Sequence, residues 1–262
     1  LTLPAPPSQA QEIAPDLARA ASEFAMGYVL TGDETLDEVS RQGLTGLSEV
    51  LTARTTVEPT PPVGIDLETA DLTLMTFLYW PISADQPNLS AQAYLALNRY
   101  LRGGGMILID TRDADIAGTA SDSEADLRRL IGPLEMPPLE PVPEDHVLTR
   151  SYYLIQDMPG RFAQGEVWVE AGASGAVNLN DGVSPVVLGG NNWAGAWAVD
   201  SRGLPRFPVG AGREGEMQRE MAYRFGVNLI MYVLTGNYKS DQLHVEEILQ
   251  RLGREGQERG AP

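Results

Sequence analysis

The stretch that most restricts the fold is Tyr100 to Asp113, YLRGGGMILIDTRD. A run of glycines ends a helix readily, and the short apolar segment behind it suits a strand. The stretch therefore reads as a helix end, a turn, and a strand over Met106 to Ile109 that runs into Asp110, Thr111, Arg112 and Asp113. In open α/β sheets, ligands gather outside the carboxyl ends of the strands. Those polar residues are the leading candidate site.

The neighbouring segments fit the same scheme. Ser22 to Thr31 is a β-rich apolar run and reads as the first strand. Leu36 to Ala53 carries apolar residues at helical spacing, and a proline-rich loop, Glu58 to Gly64, follows. Leu72 to Trp80 is apolar throughout and suits a strand buried on both faces, as in a parallel sheet. Ser90 is a good N-cap for a helix from Ala91 to Leu101. Strand–helix–strand alternation implies βαβ crossovers, so the expected class is α/β with a mainly parallel sheet and flanking helices.

Further along, Ser123 to Leu130 reads as a short helix and Gly132 to Pro143 as a proline-rich surface excursion. Glu166 to Glu170 and Pro185 to Gly189 read as strands, with Trp197 to Val199 continuing the sheet. Glu216 to Leu234 is the clearest helix, with Met217, Met221, Phe225, Leu229 and Tyr232 on one face and Gly236 closing it. Residues 244–252 read as a separate terminal helix. Residues 1–20 look like a linker, 21–252 like one α/β domain, and 253–262 like a disordered tail.

Charge and composition narrow the chemistry. The formal charge is −17, from 36 acidic and 19 basic residues, which argues against nucleic acid and anionic membranes as partners. There is no cysteine, so disulfides, thiolate metal sites and a cysteine nucleophile are excluded. With His146 and His244 as the only histidines, no zinc spacing exists. There is no GxSxG elbow, GxGxxG fingerprint or GxxxxGK[ST] loop. No cofactor and no metal are expected.

Four groups of residues can carry chemistry. Asp110, Arg112 and Asp113 place carboxylates around a guanidinium, able to bind an ion or to act as acid and base, or simply to pair and stabilise a loop. His146, near Arg150, Tyr152 and Tyr153, is a possible general base or a surface residue; His244 reads as structural. Gly189-Gly190-Asn191-Asn192-Trp193 allows close backbone approach to a polar ligand, or makes a tight turn. Arg54, with Thr55 and Thr56, can reach Asp110 or Asp113 if the strand ends are neighbours.

Several phrases carry a resemblance to a known family. They include YVLTGDETLDEVSRQGLTGLSEVLTARTTVEP, FLYWPI, GGGMILIDTRD, HVLTRSYYLIQDMPGR, DGVSPVVLGGNNWAGAWA and YRFGVNLIMYVLTGNYKSDQLHV. They resemble a bacterial domain of unknown function, number four-one-five-nine, over most of residues 24–245. The resemblance implies the C-terminal part of a long membrane-anchored protein whose N-terminus is similar to the aerotolerance regulator Bat-A. It implies a class I glutamine amidotransferase-like, flavodoxin-like fold, similar to the trimerising middle domain of certain β-galactosidases. In true amidotransferases a cysteine occupies the turn after a central strand. The matching turn here is Asp110-Thr111-Arg112, so glutamine hydrolysis by that route is excluded, and Thr111, the one hydroxyl the turn offers in its place, has no histidine fixed beside it in the sequence.

The reading that follows is a non-catalytic, amidotransferase-like module that binds a ligand or partner at its strand ends. Its binding residues are drawn from Arg54, Asp110, Thr111, Arg112, Arg150, Asn191, Asn192 and Trp193. One alternative is a hydrolase using Asp110 or Asp113 with His146. Another is an oligomerisation domain built on exposed aromatic and Met residues. The expected partners are a second copy or other domains of the parent protein, with the membrane reached only through segments outside this chain.

Overall fold

Parallel strands form the centre of the molecule. In the computed structural model, which describes residues 24–114, 120–172 and 183–258, these are β1 (Ala25–Val29), β2 (Thr60–Ile65), β3 (Phe77–Pro81), β4 (Met106–Asp110) and β7 (Val186–Gly189). Two short strands, β5 (Leu139–Pro141) and β6 (Trp168–Glu170), extend the sheet antiparallel. The order across the seven-stranded sheet is β2-β1-β3-β4-β7-β6-β5. The helices are α1 (Glu34–Arg54), α2 (Ala91–Arg102), α3 (Ala120–Ile131), α4 (Trp193–Trp197) and α5 (Gly212–Glu258).

Strand alternation splits the core in two. Met26, Tyr28, Phe77, Tyr79, Met106 and Leu108 face α1, α4 and α5, where Leu44, Leu47, Trp193, Trp197 and Phe225 are buried. Val29, Leu78, Trp80, Ile107 and Ile109 face α2 and α3 through Leu97, Tyr100, Leu101 and Leu130. Both faces are covered, which is why the central strands are apolar throughout. On the first face the contact between α1 and α4 is extremely close. A Cβ built on Gly46 would sit 2.1 Å from the Trp197 carbonyl oxygen, and one on Gly43 would sit 2.6 Å from that of Ala194.

Caps mark the helix starts. Asp33 accepts from the Thr35 and Leu36 amides at α1, and Ser90 accepts from the Ala93 amide at α2. Tyr100 folds back so that its hydroxyl donates to the Met106 carbonyl at 2.8 Å, tying the glycine turn to β4.

The structure departs from the sequence reading in several places. The proline-rich stretch after α1 is not a loop: Thr60–Ile65 pairs parallel with β1, at the sheet edge, with a register shift between Ala25 and Gly27. An edge strand tolerates Pro61 and Pro62 because one side of its backbone needs no partner. The apolar run from Leu72 begins as a 3-10 turn over Leu72–Leu74, capped by Asp71, and only Phe77–Pro81 is strand. The excursion after Gly132 contributes β5 to the sheet. Trp197 to Val199 does not continue the sheet: Trp197 ends α4, and Val199 makes an isolated bridge with Pro205.

Gly236 does not close the last helix. The backbone of α5 runs unbroken through it and through residues 244–252 to Glu258. Met217, expected on the buried face, is 62% exposed, because α5 meets the sheet only further along. Residues 1–20 and 259–262 lie outside the described residues.

Candidate functional site

Strand β4 delivers Asp110 onto the face occupied by α4, and the carboxylate is buried with 0% exposure. Its Oδ1 accepts from the Arg112 amide at 3.1 Å and the Asn192 amide at 3.1 Å. Its Oδ2 accepts from the Trp193 amide at 2.8 Å and the Tyr79 hydroxyl at 2.9 Å. Burial pushes the Asp110 carboxyl above the ordinary carboxylate range. The Trp193 amide, the Tyr79 hydroxyl, the Arg112 charge and the Asn192 amide pull the other way. Burial likewise raises the Tyr79 phenol well above its usual value, with the Asp110 charge adding to the effect. With all its acceptor positions turned inward, Asp110 joins β3, β4 and α4 and has no free face for a substrate.

The rest of the turn faces two ways. Arg112 is in the left-handed region at φ 59, a conformation costing a non-glycine residue about 1 kcal/mol. Its Nη2 donates to the Ile82 carbonyl at 2.7 Å, on the β3 side. It forms no ion pair with Asp110 or Asp113, contrary to the loop-stabilising pair the sequence allows. Asp113 turns towards β7 and α3. Its Oδ1 accepts from the Thr111 hydroxyl at 2.5 Å and its Oδ2 from the Ser123 hydroxyl at 2.5 Å. A Cβ on Gly190 would lie 2.5 Å from Asp113 Oδ1, so a side chain there would displace the carboxylate.

Here the structure has a cleft of about 600 Å³, at the carboxyl ends of β4 and β7. Its polar lining is Thr111, Asp113, Ser123, Glu124 and Glu166, and its apolar wall is Leu127, Trp168 and Leu188. Glu124 also pairs with Arg128 at 2.5 Å on the exposed surface of α3. Among the described residues the lining has three carboxylates and no basic side chain. It therefore repels phosphates and favours neutral or positively charged groups.

The other residues proposed from sequence are drawn elsewhere. Asn191, buried, donates through Nδ2 to the Met158 and Gly165 carbonyls and accepts from the Gly165 amide, pinning the 158–165 loop that forms one side of the cleft. Asn192 is the left-handed N-cap of α4. Trp193 is fully buried, stacked on Phe225 with ring centroids 5.0 Å apart. All three position the cleft's walls, and none is among its lining residues.

Arg54 does not approach Asp110 or Asp113. It sits at the C-terminal end of α1, towards the amino ends of the parallel strands and away from their carboxyl ends, and makes a two-pronged pair with Glu220 at 3.0 and 2.8 Å. Arg150 donates to the Asp145 carbonyl and closes a local turn. His146 caps the 3-10 turn Val147–Thr149 by accepting from the Leu148 amide through Nδ1, and lies edge-on to Tyr232. The Tyr232 hydroxyl accepts from the Ser184 amide, just before β7 begins. His146 is thus at the amino end of that strand while Asp113 is at the carboxyl end, and the structure does not bring them together. Burial holds the His146 imidazole below its ordinary value.

Ser123, Glu124, Glu166 and Trp168 escaped the sequence reading as site residues. Ser123 had one usable signal: it lies in the first turn of the helix after β4, which begins at Ala120 rather than at Ser123 as the sequence suggests. Glu166 and Trp168 were placed on a strand, but their position depends on β6 pairing antiparallel with β7, which no local pattern announces. Among the described residues, no group of acidic or histidine side chains is arranged to hold a metal ion. No helix there is long and apolar enough to cross a membrane.

Fold and turn together define an α/β domain with an acidic cleft at the ends of its central strands and no nucleophile–histidine pair in the described site. A family model described as domain of unknown function (DUF4159) matches residues 25–234, and the chain belongs to that family. No curated protein matches it.

Proposed function

We propose that this chain is a non-catalytic, amidotransferase-like binding module that takes a small polar ligand, or a polar side chain of a partner, in the β4–β7 cleft. The observation that carries the reading is the division of labour at the turn. Asp110 is fully engaged inside the fold, while Asp113, three residues on, lines an open cleft with two hydroxyls. The strand order β2-β1-β3-β4-β7 is that of doubly wound flavodoxin-like sheets, which supports the amidotransferase-like class. The carboxylates select against anions and for neutral polyhydroxyl or amine-bearing groups. The partners that suit such a module are a second copy or other domains of a membrane-anchored bacterial parent.

The test uses Trp168, half-buried in the cleft wall while Trp80, Trp193 and Trp197 are fully buried. A panel of small amines and polyols is titrated against tryptophan fluorescence and amide resonances. Saturable shifts at Thr111, Ser123, Gly189 and Gly190 are expected. Hits that map instead to the groove between α1 and β2, or an entirely silent panel, would count against the reading.

A further inference from the structure

On the β3 side of the same turn, Arg112 breaks two rules at once. Its backbone is left-handed, and its Nε is buried with no acceptor. The turn calls for the left-handed backbone but not for an arginine side chain. The bonds that close it run from the Arg112 amide to Asp110, from the Thr111 amide to the Gly189 carbonyl, and from the Ala114 amide to the Gly190 carbonyl. All are backbone donations, and a glycine at position 112 would make its share without strain. Beyond the backbone, the side chain gives the fold one bond, to the neutral Ile82 carbonyl.

The charge is also poorly matched. Arg112, like Arg99, Arg150, Arg161, Arg206, Arg213 and Arg219, is in no ion pair among the described residues, but it alone of these has a left-handed backbone. Its acidic neighbour Asp110 has already accepted four hydrogen bonds. Of the five guanidinium hydrogens, one points to Ile82 and the Nε hydrogen is enclosed. Three remain on the Nη1–Nη2 end of a half-buried side chain, the geometry of an end-on fork for two oxygens. Strain and an unmet donor at one residue, outside the ends of the central strands, point to a ligand rather than to packing.

We infer that Arg112 is an anchor for an oxyanion, a carboxylate or a phosphate group, docked at the carboxyl ends of β3 and β4. This rests on the strand-end reading but uses the opposite face of the turn from the acidic cleft. The two fail separately, because the cleft is read at Trp168 and this site at the Arg112 guanidinium.

The experiment follows the Arg112 Nε–H resonance in the full chain while inorganic phosphate or acetate is added at constant ionic strength, with chloride as reference. A saturable shift with phosphate alone assigns a phosphate group, and one with acetate alone or with both assigns a carboxylate. In either case Arg112→Gln weakens binding at least tenfold by calorimetry. No saturable shift with either anion, or equal binding in Arg112→Gln, overturns the proposal. Arg112→Gly gives an independent check. Its urea midpoint is expected to equal or exceed that of the parent chain, because glycine relieves the left-handed backbone. A clearly lower midpoint makes the side chain a structural strut and also overturns the proposal.

Discussion

Asn in place of Asp110 keeps the shape of the side chain but offers one acceptor oxygen and a pair of donors where four donors converge. Two of those donors then lose their acceptor in a buried setting. The expected loss is about 3 kcal/mol, read as a urea unfolding midpoint. Arg54→Ala is the contrasting case. Its pair with Glu220 is partly exposed and shared with Arg224, so a loss of no more than about 1 kcal/mol is expected. His146 gives a pH signature. Its folded pKa lies below the ordinary 6.5, so the unfolded chain binds the proton first. Its contribution is therefore intact above about 6.5 and is lost as pH falls through the lowered folded value. His146→Asn keeps the cap to Leu148 and removes the titration. Stability of the variant, compared between pH 7.5 and 5, should fall less steeply than that of the parent.

At the scale of elements, α1 and α4 touch through backbone at Gly46. Gly46→Ala forces a methyl to within 2.1 Å of the Trp197 carbonyl, and neither backbone can yield cheaply. A cost of about 3 kcal/mol is expected from overpacking, offset only in part by alanine's better helix propensity. Gly226→Ala meets the flexible end of Leu47 at 2.6 Å and should cost less. Thermal unfolding of the two variants checks the order. Elements with strong local signals were legible in the sequence: β1, α1, α2 and β4 follow from apolar period and caps. The elements that were not legible depend on distant partners. Nothing near Pro61 says that β1 will accept it as an edge strand, and nothing near Trp197 says that Gly46 leaves room for a helix. The site divides the same way. Asp110 to Asp113 was visible because strand ends collect function. The separation of Asp110 from Asp113 was not, because it depends on a helix whose cap, Asn192, lies 82 residues after Asp110.

For the whole molecule, the sheet's two ends differ. The β2 end carries Pro61 and Pro62, and proline at an open edge blocks pairing with another chain. A Pro61→Thr, Pro62→Thr double variant should therefore associate at concentrations where the parent chain does not, as read by light scattering. The β5 end is a strand of three residues, which limits pairing by brevity. A further consequence concerns the order of assembly. The Asp110 carboxylate collects donors 31, 82 and 83 residues away in sequence. Until β7 docks on β4 and brings the Asn192 and Trp193 amides, that charge must stay hydrated. The strand pair therefore closes late, with water leaving the carboxylate as the last segments arrive. Asp110→Asn should accordingly speed unfolding far more than it slows refolding, placing the carboxylate on the native side of the folding barrier.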